Sequence, residues 1–175
     1  MRPANTSEAR PAQAVHPWLR RSLFWAAAAL VVALDQTTKE LVRAFMAPGD
    51  LWPSADWPVR LHYVTNTGAA FGILKDQTGF LVLTTLVGLA AIYLYYRFPP
   101  FDHLVVPIAV GMMLGGAVGN LLDRLRLGSV TDFIDFPRYP AFNVADSSIV
   151  IGIAVLAVTY LFLSARSKPA AHADP

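Results

Sequence analysis

A run of small and then polar residues, GGAVGNLLDR at residues 115–124, organises this sequence. It begins inside an apolar segment and ends in the amide of Asn120, the carboxylate of Asp123 and the guanidinium of Arg124. Such groups are costly in lipid, so within a membrane they usually face a protein interior or a water-filled cavity. A second polar run, FNVAD at residues 142–146, opens the next apolar segment. We expect these two helix ends, with Asp132 between them, to form one site at a membrane surface.

The composition is that of a membrane protein. Of 175 residues, 55% are hydrophobic and 15% are charged, whereas soluble domains carry about 25% charged residues. The chain has no cysteine, which excludes disulfides, thiolate metal sites and a cysteine nucleophile. The net charge is only +2, and no basic run resembles a nucleic-acid footprint, so we expect no nucleic-acid partner.

Four segments are long and apolar enough to cross a bilayer, which requires about 20 residues. They are residues 21–46, 79–96, 104–122 and 144–163. We therefore predict a mainly α-helical integral membrane protein, a four-transmembrane-helix bundle at residues 20–165. A disordered cytoplasmic tail is expected at residues 1–19 and a polar cytoplasmic tail at residues 166–175.

Glycines recur every four residues along the third span, at Gly111, Gly115 and Gly119. Small residues at this spacing let helix backbones approach each other closely. We therefore expect a tight helix contact on this face, which would position Asn120 and Arg124.

A chain that crosses the membrane four times has both termini on one side. The two longer connections, residues 47–78 and 123–142, then lie together on the other side. The first contains several prolines and an alternating, strand-like segment at 59–64, so we expect a small extramembrane subdomain with β-structure. Lysines and arginines divide evenly between the two sides, but Arg20 and Arg21 directly before the first span favour cytoplasmic termini.

Residues 130–136 also have the pattern of a strand. Alternate residues of a strand share a face, which would place Asp132 on the apolar face and Asp135 on the opposite one. A carboxylate on an apolar face is desolvated, so the pKa of Asp132 should be raised. Asp135 is expected to be solvated or paired with Arg138.

The polar residues at the end of the third span allow two roles. Asn120, Asp123 and Arg124 are spaced i, i+3 and i+4, so they share a helix face. Asp123 and Arg124 could form an ion pair that ends the helix. Arg124 could instead clamp a carbonyl or carboxylate with two parallel hydrogen bonds.

The polar residues near the other spans also allow structural roles. Asn143 precedes an apolar run and Asp146 follows three residues later, which is typical of a capping box at a helix start. A carboxylate at that position would be anchored and desolvated at once. Asp35 and Lys39 are one helical turn apart, so they could pair and serve structure or lipid-headgroup contact.

The residues that remain as catalytic candidates are two aspartates. The histidines, His16, His62, His103 and His172, are too scattered to form a metal cluster, so we expect neither a metal nor another cofactor. Ser147 and Ser148 have no base placed to activate them. Two close carboxylates, Asp132 and Asp146, would share one proton, so that one acts as base and the other as acid. This arrangement activates water against an amide without a cofactor.

Five ordered blocks make the sequence resemble the bacterial lipoprotein signal peptidases, the signal peptidase II family. The blocks are DQTTK at 35–39, NTGAAFG at 66–72, GGAVGNLLDR at 115–124, VTDF at 130–133 and FNVAD at 142–146. The resemblance implies an aspartic endopeptidase of the bacterial cytoplasmic (inner) membrane. Such an enzyme removes the signal peptide from prolipoproteins by cleaving before a diacylglyceryl-modified cysteine.

The resemblance also implies roles for individual residues. Asp132 and Asp146 match the catalytic pair. The expected site-lining or substrate-binding residues are Asp35, Lys39, Asn66, Gly68, Asn120, Asp123, Arg124, Asn143 and Ala145. The family places its active site at the outer leaflet, under a small β-cradle and a short amphipathic helix. The expected partners are lipid-modified prolipoprotein signal peptides and membrane lipid, and the expected state is a monomer.

A small polytopic transporter or channel with a proton-relay aspartate pair is the alternative function. Intramembrane carboxylates suit it equally well, although four spans without an internal repeat are few for a transporter. Cleavage of a lipidated precursor by purified protein in detergent would separate the two functions, because proteolysis needs no membrane gradient.

Overall fold

The computed structural model describes residues 16–68, 74, 76–100 and 103–166. In this part of the chain, four long helices pack together as a bundle, and a small antiparallel sheet lies at one end of it. The elements are α1 (Pro17–Phe45), β1 (Leu51–Trp52), β2 (Arg60–Asn66), α2 (Thr78–Arg97), α3 (Val105–Leu127), β3 (Val130–Phe136), β4 (Tyr139–Phe142) and α4 (Val144–Arg166). All four helices are long and apolar enough to cross a membrane, which confirms the predicted bundle.

The central helix is α3, which packs against α1, α4 and α2. Glycine makes the closest of these contacts possible. A Cβ atom on Gly115 would lie 2.6 Å from the backbone oxygen of Ala28 in α1. On another face of α3, a Cβ atom on Gly116 would collide with the backbone oxygen of Ala145 in α4. The predicted tight helix contact is therefore confirmed, and α3 makes it toward two neighbours.

The end of α3 differs from the prediction. The helix continues to Leu127 instead of ending at residue 122, so Asp123 and Arg124 are helical. The extension is possible because the Asp123 carboxylate faces the ammonium group of Lys39 in α1. The helix ends at Gly128, whose φ of +74° is a left-handed conformation that glycine adopts readily.

The first and last helices also extend beyond their predicted bounds. Helix α1 begins at Pro17, a residue type favoured in the first turn, so residues 17–19 belong to it and not to a disordered tail. Helix α4 likewise includes Arg166. Residues 1–15 and 167–175 of the predicted tails lie outside the described part of the chain.

The sheet has the strand order β1-β2-β3-β4 and is antiparallel throughout. Strand β3 covers the predicted residues 130–136, and the predicted strand at 59–64 is β2, which runs on to Asn66. The two short strands β1 and β4 were not predicted. In the register of β2 with β3, Val64 lies opposite Asp132. The amphipathic segment expected after Gly68 falls mostly on residues that are not described.

Candidate active site

Two carboxylates reach one cavity from different elements. Asp132 lies on β3, which follows α3 after a two-residue turn, and Asp146 lies in the first turn of α4. The cavity has a volume of about 800 Å³ and is lined by both aspartates. Four more of the predicted site residues line it, namely Asn66, Gly68, Asn120 and Arg124. Six residues singled out in the sequence therefore come together around a single space.

Asn143 connects the two carboxylates. Its side-chain Nδ2 donates a hydrogen bond to Asp132 Oδ1 at 2.7 Å, and its backbone N–H donates to Asp146 Oδ2 at 3.3 Å. In return, Asn143 Oδ1 accepts the backbone N–H of Asp146 at 3.0 Å. This reciprocal pair is the predicted capping box of α4. Because Asn143 is fully buried, it fixes both carboxylates relative to one rigid residue.

Two further asparagines complete the hydrogen bonding of the pair. Asn66 Nδ2 donates to Asp132 Oδ2 at 2.9 Å, and Asn120 Nδ2 donates to Asp146 Oδ1 at 2.8 Å. Within the described part of the chain, neither aspartate forms an ion pair with a lysine or arginine. Each carboxylate is thus bound by neutral N–H donors, which accommodate a shared proton more easily than a contacting cation would.

Asp132 is only 2% exposed. Burial, reinforced by the negative charge of Asp146, raises the pKa of Asp132 to about 7, although the hydrogen bonds from Asn66 and Asn143 act in the opposite direction. This agrees with the expectation from the sequence that its pKa is raised. A carboxyl group with such a pKa holds its proton in a large share of molecules at neutral pH, so it can act as an acid there.

A buried ionic cluster lies behind the cavity, between α1 and α3. Lys39 Nζ is 2.9 Å from Asp35 Oδ2 and 3.4 Å from Asp123 Oδ2, and it donates to Asn120 Oδ1 at 2.9 Å. The predicted pair of Asp35 and Lys39 is therefore confirmed. These two residues do not contact lipid headgroups, because both side chains are fully buried and are enclosed by the bundle.

The two carboxylates of this cluster also position the backbone on either side of the cavity. Asp35 Oδ1 accepts the backbone N–H of Ala145 at 3.0 Å, which places a negative charge at the start of α4, where the helix dipole favours it. Asp123 Oδ2 accepts the backbone N–H of Thr131 at 3.0 Å, at the start of β3. Asp35, Lys39, Asp123 and Ala145 therefore support the cavity from behind and do not line it.

Arg124 contacts a carbonyl, as the sequence allowed, although the two parallel hydrogen bonds of a clamp are not among its described contacts. Its Nη2 donates to the backbone oxygen of Gly68 at 3.3 Å, so it contacts a carbonyl and holds the segment after β2 against the cavity. The alternative ion pair with Asp123 is not formed. Asp123 instead faces Lys39 at 3.4 Å and Arg43 at 3.6 Å, both from α1.

The expectation for Asp135 was wrong. Asp135 is 5% exposed and pairs with Arg60, not with Arg138. The sheet register explains the difference, because Arg60 on β2 lies directly opposite Asp135 on β3. Arg138 belongs to the turn between β3 and β4, where its φ is +69°.

Two residues of α1 that bind α3 and β3 were not predicted from the sequence. Gln36 Nε2 donates to the backbone oxygen of Gly119 at 3.1 Å and to Asp123 Oδ1 at 3.2 Å. Arg43 Nη1 donates to Thr131 Oγ1 at 2.7 Å. Arg43 could have been found from its spacing, because it continues the i, i+4 series of Asp35 and Lys39 on one helix face.

The described residues form neither a serine nucleophile with its base nor a cluster of metal ligands. The hydroxyl of Ser147 donates to the backbone oxygen of Asn143 at 2.9 Å, and that of Ser148 donates to Val144 at 2.8 Å. Both are ordinary helix hydrogen bonds, with no base in contact. In the described ranges, no group of three or more histidine, cysteine, aspartate or glutamate residues is placed to hold a metal ion.

Comparisons with known proteins agree on one family. The family model described as Signal peptidase (SPase) II matches residues 27–162. The lipoprotein signal peptidase of Caldanaerobacter subterraneus subsp. tengcongensis is 46% identical over 136 residues, which are 77% of this chain and 92% of that protein. The lipoprotein signal peptidase of Moorella thermoacetica is 42% identical over 129 residues, 74% of this chain and 86% of its own length. A bacterial membrane enzyme solved by the in meso method at 2.3 Å resolution superposes with a TM-score of 0.77 at 30% identity, covering 84% of this chain and 92% of its own.

Proposed function

The chain belongs to the signal peptidase II family of aspartic peptidases, and we propose that Asp132 and Asp146 are its catalytic pair. The enzyme is a multi-pass protein of the bacterial inner membrane and removes signal peptides from prolipoproteins. The observation that carries the proposal is that both carboxylates line one cavity and are joined through Asn143. The bond that it cleaves is, in this proposal, the one before a diacylglyceryl-modified cysteine.

The surroundings of the two aspartates suggest which one holds the shared proton. Asp132 is the acid, because burial favours its neutral form. Asp146 is the base, because it lies in the first turn of α4, where the backbone N–H groups and the helix dipole favour an anion. The two titrate as a coupled pair, so the assignment describes the dominant protonation state.

The proposed reaction then needs only one water molecule. Asp146 takes a proton from the water while the water oxygen attacks the scissile carbonyl carbon, and Asp132 gives its proton to the carbonyl oxygen. When the tetrahedral intermediate collapses, the C–N bond breaks and the cysteine nitrogen receives the proton held by Asp146. Asp132 recovers its proton from the hydroxyl of the intermediate, so the pair returns to its starting state.

The location of the site suits a substrate that stays in the membrane. A signal peptide is a hydrophobic helix, and the acyl chains on the cysteine also lie in the bilayer. The cavity has polar residues from the sheet on one side and Ile149 and Val150 of α4 on another. A site of this kind meets the scissile bond at the membrane boundary, where water also reaches it.

The proposed topology has both termini in the cytoplasm and the active site at the outer leaflet. It can be tested with single cysteines, because the chain contains none. Cysteine in place of the exposed Arg138, in the β3–β4 turn, should react with a membrane-impermeant thiol reagent added to intact cells. Cysteine in place of the exposed His103, in the α2–α3 connection, should react only after the membrane is opened. The reverse labelling pattern would contradict this topology.

The function itself is tested with purified enzyme in detergent and a synthetic precursor that carries diacylglyceryl cysteine. We expect two products whose masses place the cut directly before the modified cysteine, and no cleavage of the matched precursor without lipid. Turnover should be linear in enzyme concentration, because we propose that a monomer suffices. Absence of cleavage by folded enzyme, or a cut elsewhere, would contradict the proposal.

A further inference from the structure

A second group of polar side chains lines the cavity at a distance from the catalytic pair. It consists of His62, Asp135 and Tyr139. Arg60 stands behind Asp135, where its Nε donates to Asp135 Oδ2 at 2.7 Å and its Nη1 donates to the backbone oxygen of Ala55 at 2.7 Å. The Nδ1 atom of His62 is 3.9 Å from the same carboxylate oxygen. The proposed reaction makes no use of this group.

Within the sheet, this group lies farther from the helices than the catalytic pair does. Strand β3 leaves α3 at Val130 and reaches Asp132 before Asp135. Three residues of a strand span about 10 Å, so Asp135 lies about that far from Asp132, in the direction of the β3–β4 turn. On β2, Arg60 lies opposite Asp135, and Val64 lies opposite Asp132.

The proposed topology gives a membrane-bound precursor one orientation at this cavity. In that orientation its signal peptide stays among the helices, and the residues that follow the scissile bond run out along the sheet. An extended peptide advances by the same distance per residue as a strand. The third residue of the mature chain, with the lipidated cysteine counted as the first, therefore comes opposite Asp135.

We propose that Asp135 and His62, with Arg60 behind them, form the subsite for this third residue and determine which charge it tolerates. The inference rests on the proposed function. Asp135 lines the cavity, and Arg60 forms an ion pair with Asp135 from the side away from the cavity. Their opposite charges therefore balance at the subsite. A balanced subsite accepts acidic and basic residues with similar efficiency, and removal of either partner leaves the charge of the other.

The test uses three lipidated precursors that differ only in having Asp, Ser or Lys as the third mature residue. The ratio of kcat/KM for the Asp precursor to that for the Lys precursor is measured at pH 8 for each variant. We expect Asp135→Asn to raise this ratio about 25-fold and Arg60→Gln to lower it about 25-fold. Two unit charges about 4 Å apart in water change kcat/KM about fivefold, and the Asp and Lys precursors change in opposite directions. Both shifts should shrink in 1 M salt, where charges are screened within about 3 Å.

The controls separate a subsite from a general effect on folding. The double variant Arg60→Gln/Asp135→Asn removes both charges and should return the ratio to the wild-type value, even if either single variant is unstable. Asp56→Asn removes the same charge from an exposed loop residue that does not line the cavity, so its ratio should match that of the wild type. Because each ratio is taken within one variant, a loss of folded enzyme cancels.

The outcomes also separate this inference from the proposed function. If the wild-type enzyme cleaves no lipidated precursor, the proposed function is wrong. If all precursors are cleaved and both single variants keep the wild-type ratio, the catalytic pair stands and the subsite is overturned. Shifts of the same sign in both single variants would overturn it as well, because opposite charges must act in opposite directions.

Discussion

The two groups of carboxylates next to the cavity differ in what binds them. Asp35 and Asp123 are fully buried and contact the ammonium group of Lys39. Asp132 and Asp146 line the cavity and receive their hydrogen bonds from neutral N–H groups. A cation in contact favours the ionised form of a carboxylate, whereas neutral donors in a desolvated place leave room for a proton. The first pair therefore suits a structural support, and the second suits proton transfer.

Asn120 connects the two groups and shows how one supports the other. Its Oδ1 accepts from Lys39 Nζ at 2.9 Å, and its Nδ2 donates to Asp146 Oδ1 at 2.8 Å. An ammonium group can only donate, so the amide oxygen must face Lys39, and the amide nitrogen must face Asp146. The buried lysine thus fixes the direction of the hydrogen bond to the proposed base.

The largest effect on stability is expected from Lys39→Met. The substitution leaves the carboxylates of Asp35 and Asp123 buried without their central cation, and breaking a buried ion pair from one side costs about 3–5 kcal/mol. Asp132→Asn is the matched comparison and should be neutral or stabilising, because it removes a desolvated charge. Unfolding of both variants in detergent measures the difference. Equal destabilisation would show that the two groups of carboxylates do not differ as described.

A smaller loss is expected from Gly115→Leu. A Cβ atom there would lie 2.6 Å from the backbone oxygen of Ala28, which cannot move without shifting α1. We expect a loss of about 3 kcal/mol, at the upper end for overpacking, because α1 carries the ionic cluster that faces α3. Gly88→Leu in α2 is the control, since nothing lies within 4 Å of a Cβ atom there. Equal thermal stability of both variants would place Gly115 on an open face.

The pH dependence of stability should identify Asp132. Its pKa is raised to about 7 in the folded protein, against about 3.9 in an unfolded chain, so the folded state binds more protons between these values. The contribution of Asp132 is complete below about pH 4 and is lost as the pH rises toward 7, by at most about 1.4 kcal/mol per pH unit. The wild type should therefore lose stability relative to Asp132→Asn as the pH rises from about 4 to 7. A difference that does not change with pH would contradict the raised pKa.

No effect is expected from metal chelators. Among the described residues, the cations whose charge acts on the proposed catalytic pair are the side chains of Lys39 and Arg124, and zinc sites are built from cysteine, histidine and carboxylate ligands. Turnover in detergent should be the same before and after dialysis against a chelator. Loss of turnover that added zinc restores would overturn the aspartic mechanism.

Local patterns in the sequence were sufficient for the spans, for β3 and for the cap formed by Asn143 at the start of α4. They were not sufficient where distant elements meet. The partner of Asp135 depends on the register of β2 with β3, and the end of α3 depends on Lys39 from another helix. Gln36 was missed for the same reason, because its partners lie on α3.

The assignment of the catalytic pair is tested most directly by single-turnover cleavage of the lipidated precursor. Asp132→Asn and Asp146→Asn are compared with Asp56→Asn, which removes a charge from the same extramembrane part of the chain. We expect each substitution in the pair to reduce the rate by at least about 10³-fold, with melting temperatures near that of the wild type, and Asp56→Asn to keep the wild-type rate. A near wild-type rate in either Asp132→Asn or Asp146→Asn would show that the two carboxylates are not the catalytic pair.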